Sequence, residues 1–174
     1  FDEQEIIAAN AIYANAVYAH DLDNDGDNDV LSVSYSNNKI AWYENDGNGN
    51  FSTEQIITIT ANSATDVYAI DLNNDGDNDI LSASNGDNKI AWYENDGIGN
   101  FGEQQVVTFT IAVTNNIYGV DLDNDGDNDV LSASAGDDKI TWYENDGNGN
   151  LGAQQIITIN ANSVQAIYAA DLDN

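Results

Sequence analysis

Asp21-Leu22-Asp23-Asn24-Asp25-Gly26-Asp27-Asn28-Asp29 runs directly into Val30-Leu31-Ser32-Val33-Ser34. The same stretch returns at residues 71–84 and 121–134, and begins again at Asp171. A second stretch, Trp42-Tyr43-Glu44-Asn45-Asp46-Gly47, returns at Trp92 and Trp142. A fixed period of ~50 residues means one supersecondary unit copied in tandem.

One copy reads as four short strands. Residues 17–20 form a β-type run that ends at the acidic stretch. Residues 30–35 alternate apolar and small polar side chains, the period-2 signature of a strand. Ser36-Asn37-Asn38 is a turn cluster, and residues 39–44 form the third strand. Asn45-Asp46-Gly47-Asn48-Gly49-Asn50 is rich in residues that tolerate positive φ, as a hairpin loop needs. Residues 54–60 form the fourth strand. Helical periodicity is absent and β-branched residues crowd the strands. The fold class is therefore all-β, with four-stranded blades of ~50 residues of the β-propeller type. A β-solenoid or an open array of small sheets is the alternative. The expected division is residues 1–15 as the outer strand of a preceding blade, then blades at 16–65, 66–115 and 116–165. Residues 166–174 would start the next blade with its inner strand.

Composition narrows the function classes. The chain has 174 residues, 41% of them hydrophobic, enough for a core if the repeats stack. Its formal charge is -28, from 31 acidic residues against 3 basic ones. Phosphate binding needs Lys and Arg, so nucleic acid and anionic membrane surfaces are excluded as partners. A charge this large opposes compaction unless cations neutralise it. There is no Cys, which removes disulfides and thiolate chemistry. No apolar run approaches the ~20 residues of a membrane span. The chain opens on Phe1, so it reads as a processed protein or part of a longer one.

The acidic stretch carries the chemistry. Its carboxylates alternate at loop positions 1, 3 and 5, Gly permits a sharp turn at 6, and Asp returns at 9. Calcium takes six to eight oxygen ligands, carboxylates and backbone carbonyls among them. In the first copy Asp21, Asp23, Asp25 and Asp29 are expected to give side-chain ligands, and Asp27 its carbonyl. An EF-hand is excluded, because position 12 is Ser32, Ser82 or Ser132 within a strand pattern. Carboxylates ~4 Å apart repel by about 4 kcal/mol per pair at an effective dielectric near 20, which weighs against a bare solvated turn. Asn73 replaces the position-3 carboxylate in the second copy and is expected to weaken that site. The fourth loop, with only Asp171 and Asp173, should not hold calcium alone.

D-x-D-x-D-G-x-x-D, then V/I-L-S-A-S, then K-I-A/T-W-Y-E-N-D-G, closely resembles the FG-GAP/VCBS repeats, the calcium-binding blades of integrin-α-like β-propellers. The resemblance covers essentially the whole chain. It implies a calcium ion in each hairpin loop and an extracellular or surface location. The family's ligand positions fall on Asp21, Asp23, Asp25, Asp27 and Asp29; on Asp71, Asn73, Asp75, Asp77 and Asp79; and on Asp121, Asp123, Asp125, Asp127 and Asp129. The Phe-Gly of the family name survives at Phe101-Gly102 but is Phe51-Ser52 and Leu151-Gly152 elsewhere.

Three blades with a leading outer strand (residues 3–9) and a trailing inner strand (167–170) do not close a ring of four to eight blades. A longer array or head-to-tail self-association is expected. Trp42, Trp92 and Trp142, and Tyr18, Tyr68, Tyr118 and Tyr168, are expected to pack in the core. Lys39, Lys89 and Lys139 should pair with carboxylates. His20 occupies a slot held by Ile70, Val120 and Ala170, and the repeated serines lack a repeated base, so no catalytic constellation emerges. Asn50-Phe51-Ser52 is a formal glycosylation sequon in one copy. These readings converge on a non-enzymatic, calcium-stabilised extracellular module for adhesion or for binding a protein or glycan. A surface fibre built from tandem repeats is the alternative.

Overall fold

A computed structural model of the chain describes residues 6–8, 11–109 and 112–172. Among these, the strands form three antiparallel four-stranded sheets. The first holds β1 (Ala14–His20), β2 (Asp29–Ser34), β3 (Lys39–Tyr43) and β4 (Gln55–Thr58) in that spatial order. The second repeats it with β5 (Ala64–Ile70), β6 (Asp79–Ser84), β7 (Lys89–Tyr93) and β8 (Gln105–Thr108). The third has β9 (Thr114–Val120), β10 (Asp129–Ser134), β11 (Lys139–Tyr143) and β12 (Gln155–Thr158). Register is copied with the sequence: Leu31 faces Trp42, Leu81 faces Trp92 and Leu131 faces Trp142.

The two middle strands of each sheet carry the core. Leu81, Ala83, Ile90 and Ala91 are fully buried, because sheets pack against them on both sides. Trp42 lies between the first two sheets, edge-on to Phe101 with ring centroids 6.3 Å apart. Trp42 and Trp92 are buried as expected, and Trp142, on the outer face of the third sheet, is half-buried. The inner strands touch through side chain–backbone bonds. Asn15 Nδ2 donates to Thr65 O at 2.9 Å, and Thr65 Oγ1 donates to Thr114 O at 2.7 Å. Each lysine pairs as expected: Lys39 with Glu54 at 2.5 Å, Lys89 with Asp87 at 2.8 Å, Lys139 with Asp137 at 2.6 Å.

Four features depart from the sequence reading. The fourth strand stops at Thr58, because the Thr58 hydroxyl takes the N–H of Thr60 at 3.1 Å and turns the chain. The four tyrosines expected in the core are not fully enclosed: Tyr18, Tyr68 and Tyr118 are half-buried, and the first two pack against its edge. They form a ladder along the inner strands, with successive centroids 4.8, 5.0 and 5.1 Å apart from Tyr18 to Tyr168. Tyr168 at its end is 77% exposed. Of the expected leading strand at residues 3–9, residues 3–5 and 9 lie outside the described residues, and residues 6–8 form no strand. Residues 167–170 make no ladder, since a strand needs a neighbour for its backbone groups. They still lie against β9, with Ile167 N donating to Asn116 Oδ1 at 2.9 Å.

Candidate metal centres

Each acidic stretch folds into a loop stitched by its own carboxylates. In the first, Gly26 N donates to Asp21 Oδ2 at 3.0 Å, Asp25 N to Asp23 Oδ1 at 3.3 Å, and Asp27 N to Asp25 Oδ1 at 2.9 Å. The turn requires left-handed backbone at Asn24 (φ 61°) and Gly26 (φ 97°). Asp29 opens β2 and is completely buried. Its Oδ2 accepts Leu22 N at 2.9 Å and its Oδ1 accepts Asn45 N at 2.9 Å, which fixes it beneath the loop. The second and third loops repeat the design. Gly76 N donates to Asp71 Oδ2 and Gly126 N to Asp121 Oδ2, at 3.0 and 3.1 Å.

The folding brings together three of the five expected residues in two loops. Carboxylate oxygens of Asp21, Asp23 and Asp29 lie within 4.8 Å of one another, as do those of Asp121, Asp123 and Asp129. In the second loop Asp71 and Asp79 keep their places, and Asn73 turns its amide to Asp75 Oδ2 at 2.8 Å. Asp25, Asp75 and Asp125 each spend one oxygen on the N–H two residues on, at 2.9 Å. The position-7 side chains turn away from the loop. Asp77 Oδ1 accepts Asn24 Nδ2 of the preceding loop at 2.6 Å, and Asp127 Oδ1 accepts Asn74 Nδ2 at 2.6 Å. Asp27, Asp77 and Asp127 lie over Gly47, Gly97 and Gly147 of the adjacent hairpin, where a Cβ would strike their carboxylates.

The electrostatics suit a bound cation. Burial pushes the carboxyl of Asp79 up to about 7. Burial also raises Asp29 and Asp129, and burial followed by the neighbouring Asp25 raises Asp23. Asp123 is raised in the same way, with Asp125 the strongest of the charges acting on it. The two backbone N–H groups on each of Asp29, Asp79 and Asp129 favour the ionised form but do not outweigh burial. Asp21 Oδ1 and Asp71 Oδ1 are buried and lack a hydrogen-bond partner. The donors are all oxygens of a hard, anionic set, which suits calcium. Magnesium prefers fewer protein ligands in tighter octahedral geometry.

The hairpin after the third strand contributes residues that sequence reasoning overlooked. Asn45, Asn95 and Asn145 hold Asp29, Asp79 and Asp129 by their backbone N–H at 2.9 Å. The recurrence of Asn at this position in every copy was the available signal. Asp46 organises the hairpin, accepting Asn48 N at 2.9 Å and Asn50 Nδ2 at 2.8 Å, and the Asn50 and Asn48 bonds hold its carboxyl below the usual range. His20 sits at the end of β1 with Nδ1 3.4 Å from Asn78 Nδ2, a packing contact between blades. Ser32 Oγ donates to Ala41 O at 3.4 Å and Ser132 Oγ meets Thr141 Oγ1 at 2.7 Å, so both hydroxyls serve the sheet.

Known structures share this architecture. A lectin from Agrocybe aegerita, described as recognising non-reducing terminal N-acetylglucosamine, superposes with TM-score 0.63 at 21% identity over 84% of this chain and 39% of its own. BBS1N in complex with ARL6DN aligns with TM-score 0.55 at 12% identity, over 84% of this chain and 45% of that one. NanB with Optactamide gives 0.54 at 13% identity, over 82% and 23%. The chain thus spans less than half the length of each. At these identities the likeness establishes a β-propeller-like fold. No curated protein matches the chain. The FG-GAP-like repeat matches residues 21–82, 71–132 and 121–174, each match opening on the first carboxylate of an acidic loop. Three tandem matches across nearly the whole sequence make this chain a member of the FG-GAP-like repeat family.

Proposed function

We propose that the chain is a non-enzymatic, calcium-stabilised β-propeller repeat module that binds a protein or glycan ligand outside the cell. The observation that carries the calcium reading is the pair of carboxylate triads, Asp21/Asp23/Asp29 and Asp121/Asp123/Asp129, each within 4.8 Å. In the first loop the ion would be held by Asp21, Asp23, Asp25 and Asp29, with the carbonyl of Asp27. The second loop would use Asp71, Asn73, Asp75 and Asp79 with Asp77, and the third Asp121, Asp123, Asp125 and Asp129 with Asp127. When bound, calcium supplies positive charge and rigid coordination. The protein's own part is to set the carboxylates in place before the ion arrives, through Leu22 N, Asn45 N and Gly26 N. Millimolar extracellular calcium suits modules with weak sites, and family membership supports the location. No helix among the described residues is long and apolar enough to cross a membrane. The lectin-like architecture supports ligand binding, with adhesion as its biological use. The test is thermal unfolding with calcium and then with a chelator, read beside a glycan and protein binding screen. An unchanged melting temperature after chelation sinks the calcium reading.

A fibre subunit is the second reading, and the outer edges favour it. Among the described residues β4, β8 and β12 end their sheets and expose Ile56, Val106 and Ile156 on uncharged edges. Such edges are templates for strand pairing between chains. Particle imaging separates the two readings: compact particles support the binding module, and extended polymers the fibre.

A further inference from the structure

We propose that the three loops are coupled, so that calcium binding in one blade promotes binding in the next, with Asn95 and Asn145 as the positioning residues that join them. The proposal rests on the calcium reading above and concerns its regulation.

The coupling follows a continuous hydrogen-bonded path. Leu22 N donates to Asp29 Oδ2 in the first loop at 2.9 Å, and Leu22 O accepts Asn95 Nδ2 of the second blade at 2.7 Å. Asn95 N in turn donates to Asp79 Oδ1 at 2.9 Å. The same steps follow to the third loop: Leu72 N to Asp79 Oδ2 at 3.0 Å, Asn145 Nδ2 to Leu72 O at 2.7 Å, Asn145 N to Asp129 Oδ1 at 2.9 Å. Every step is a bond to a loop carboxylate or to the backbone between two loop carboxylates. Asn95 is 2% exposed and Asn145 is 3% exposed, so water does not compete for these bonds. A second connection runs along the surface. Asn24 Nδ2 reaches Asp77, and Asn74 Nδ2 reaches Asp127, each at 2.6 Å. Asn78 Nδ2 and Asn128 Nδ2 also grip the carbonyls of Asp21 and Asp71, at 3.4 and 2.8 Å.

The responsive element is the loop itself. Without cation its carboxylates repel, and its turn is held by Asx-type bonds together with, in the first copy, Gly26 N on Asp21 and Leu22 N on Asp29. A cation orders it and fixes the carbonyl of residue 22 or 72 and the αL Asn at position 4, where the next blade's Asn95, Asp77 or their copies dock. Docking positions the backbone N–H that holds the next blade's buried Asp, so the second loop binds with less ordering left to do. By linkage the coupling is reciprocal.

Gly26, Gly76 and Gly126 each donate to the first carboxylate of their own loop, so their amides report each site separately. The experiment is a calcium titration of chelator-stripped protein followed at these three amides by NMR. Wild type is expected to give three sigmoidal curves, with the Gly76 midpoint the highest because Asn73 lacks the carboxylate. Asn95→Ala should move the Gly26 and Gly76 midpoints apart by a further factor of about 5 or more, the low end of typical allosteric couplings. Asn145→Ala should do the same to Gly76 and Gly126. Ile59→Ala is the control: Ile59 is 64% exposed and lies outside the loops and the junctions, so the midpoints should keep their wild-type spacing. If Asn95→Ala does not fold, Asn24→Gly severs the exposed connection at the same junction, keeps the positive φ, and should separate the same pair by a smaller factor. Non-sigmoidal, independent curves in wild type, or unchanged spacing of the midpoints in both junction variants, overturn the coupling and leave the calcium reading intact. Amides that ignore calcium overturn both.

Discussion

Alanine at Gly49, Gly99 and Gly149 separates backbone strain from blade packing. The three glycines are equivalent copies in left-handed conformations, with φ of 85°, 76° and 74°. A Cβ at Gly149 would lie 2.5 Å from Cζ2 and 2.8 Å from Cη2 of Trp92 in the preceding blade. At Gly99 the same atoms of Trp42 are in the way, whereas at Gly49 nothing lies within 4 Å. Left-handed backbone costs an L-residue roughly 1–2 kcal/mol. Overpacking a buried site costs roughly 1–3 kcal/mol more. Trp42 and Trp92 are 3% and 4% exposed and have little room to yield. Gly49→Ala should therefore cost roughly 1–2 kcal/mol, and Gly99→Ala or Gly149→Ala roughly 2–5 kcal/mol. A chain of this size loses about 2–4 °C of Tm per kcal/mol, which gives shifts of roughly 2–8 °C and 4–20 °C. The assay is thermal unfolding in saturating calcium, by circular dichroism and tryptophan fluorescence. Trp42→Phe removes the obstructing ring, so Gly99→Ala in that background should fall back toward the Gly49 cost. Equal losses at all three glycines would refute the packing argument.

Other outcomes follow from the same geometry. Asn73→Asp should complete the second carboxylate triad and tighten calcium binding there, measured as a lower midpoint at the Gly76 amide. The raised carboxyls of Asp79, at about 7, and of Asp29 and Asp129 mean that the metal-free fold holds protons the unfolded chain releases. Its stability is then fullest below the ordinary Asp range and is lost as pH rises through about 7, so chelated protein should melt higher at pH ~5 than at pH ~8, with calcium erasing that difference. Lys39→Ala strands Glu54, which also accepts Tyr43 Oη at 3.0 Å, and should cost roughly 1–3 kcal/mol in denaturant unfolding. Leu81→Ala, at a fully buried site, should cost roughly 2–5 kcal/mol in the same assay.

What the sequence made legible was whatever repeats within a single copy. Strand order, register and the buried middle strands follow from alternation at residues 30–34 and 39–43, because each side chain's face is set by local pleat. The carboxylate triads followed from spacing and Gly26, since the loop closes on itself. Contacts made across copies were hidden. The side chains of Asp77 and Asp127 serve the preceding blade's Asn24 and Asn74, and Asn95 bridges two loops through a bond that spans 73 residues. Nothing in one period reveals which face of it meets the next. The tyrosine ladder was missed for the same reason: Tyr68 is flanked by Tyr18 and Tyr118, which in the sequence look like three separate core positions.

Calorimetric titration of the chelator-stripped chain with calcium tests the central claim most directly. The account predicts binding of three ions per chain, one per complete loop, with a matching rise in Tm. Failure to bind calcium, with Tm unchanged, would contradict it and leave the acidic loops as solvated turns.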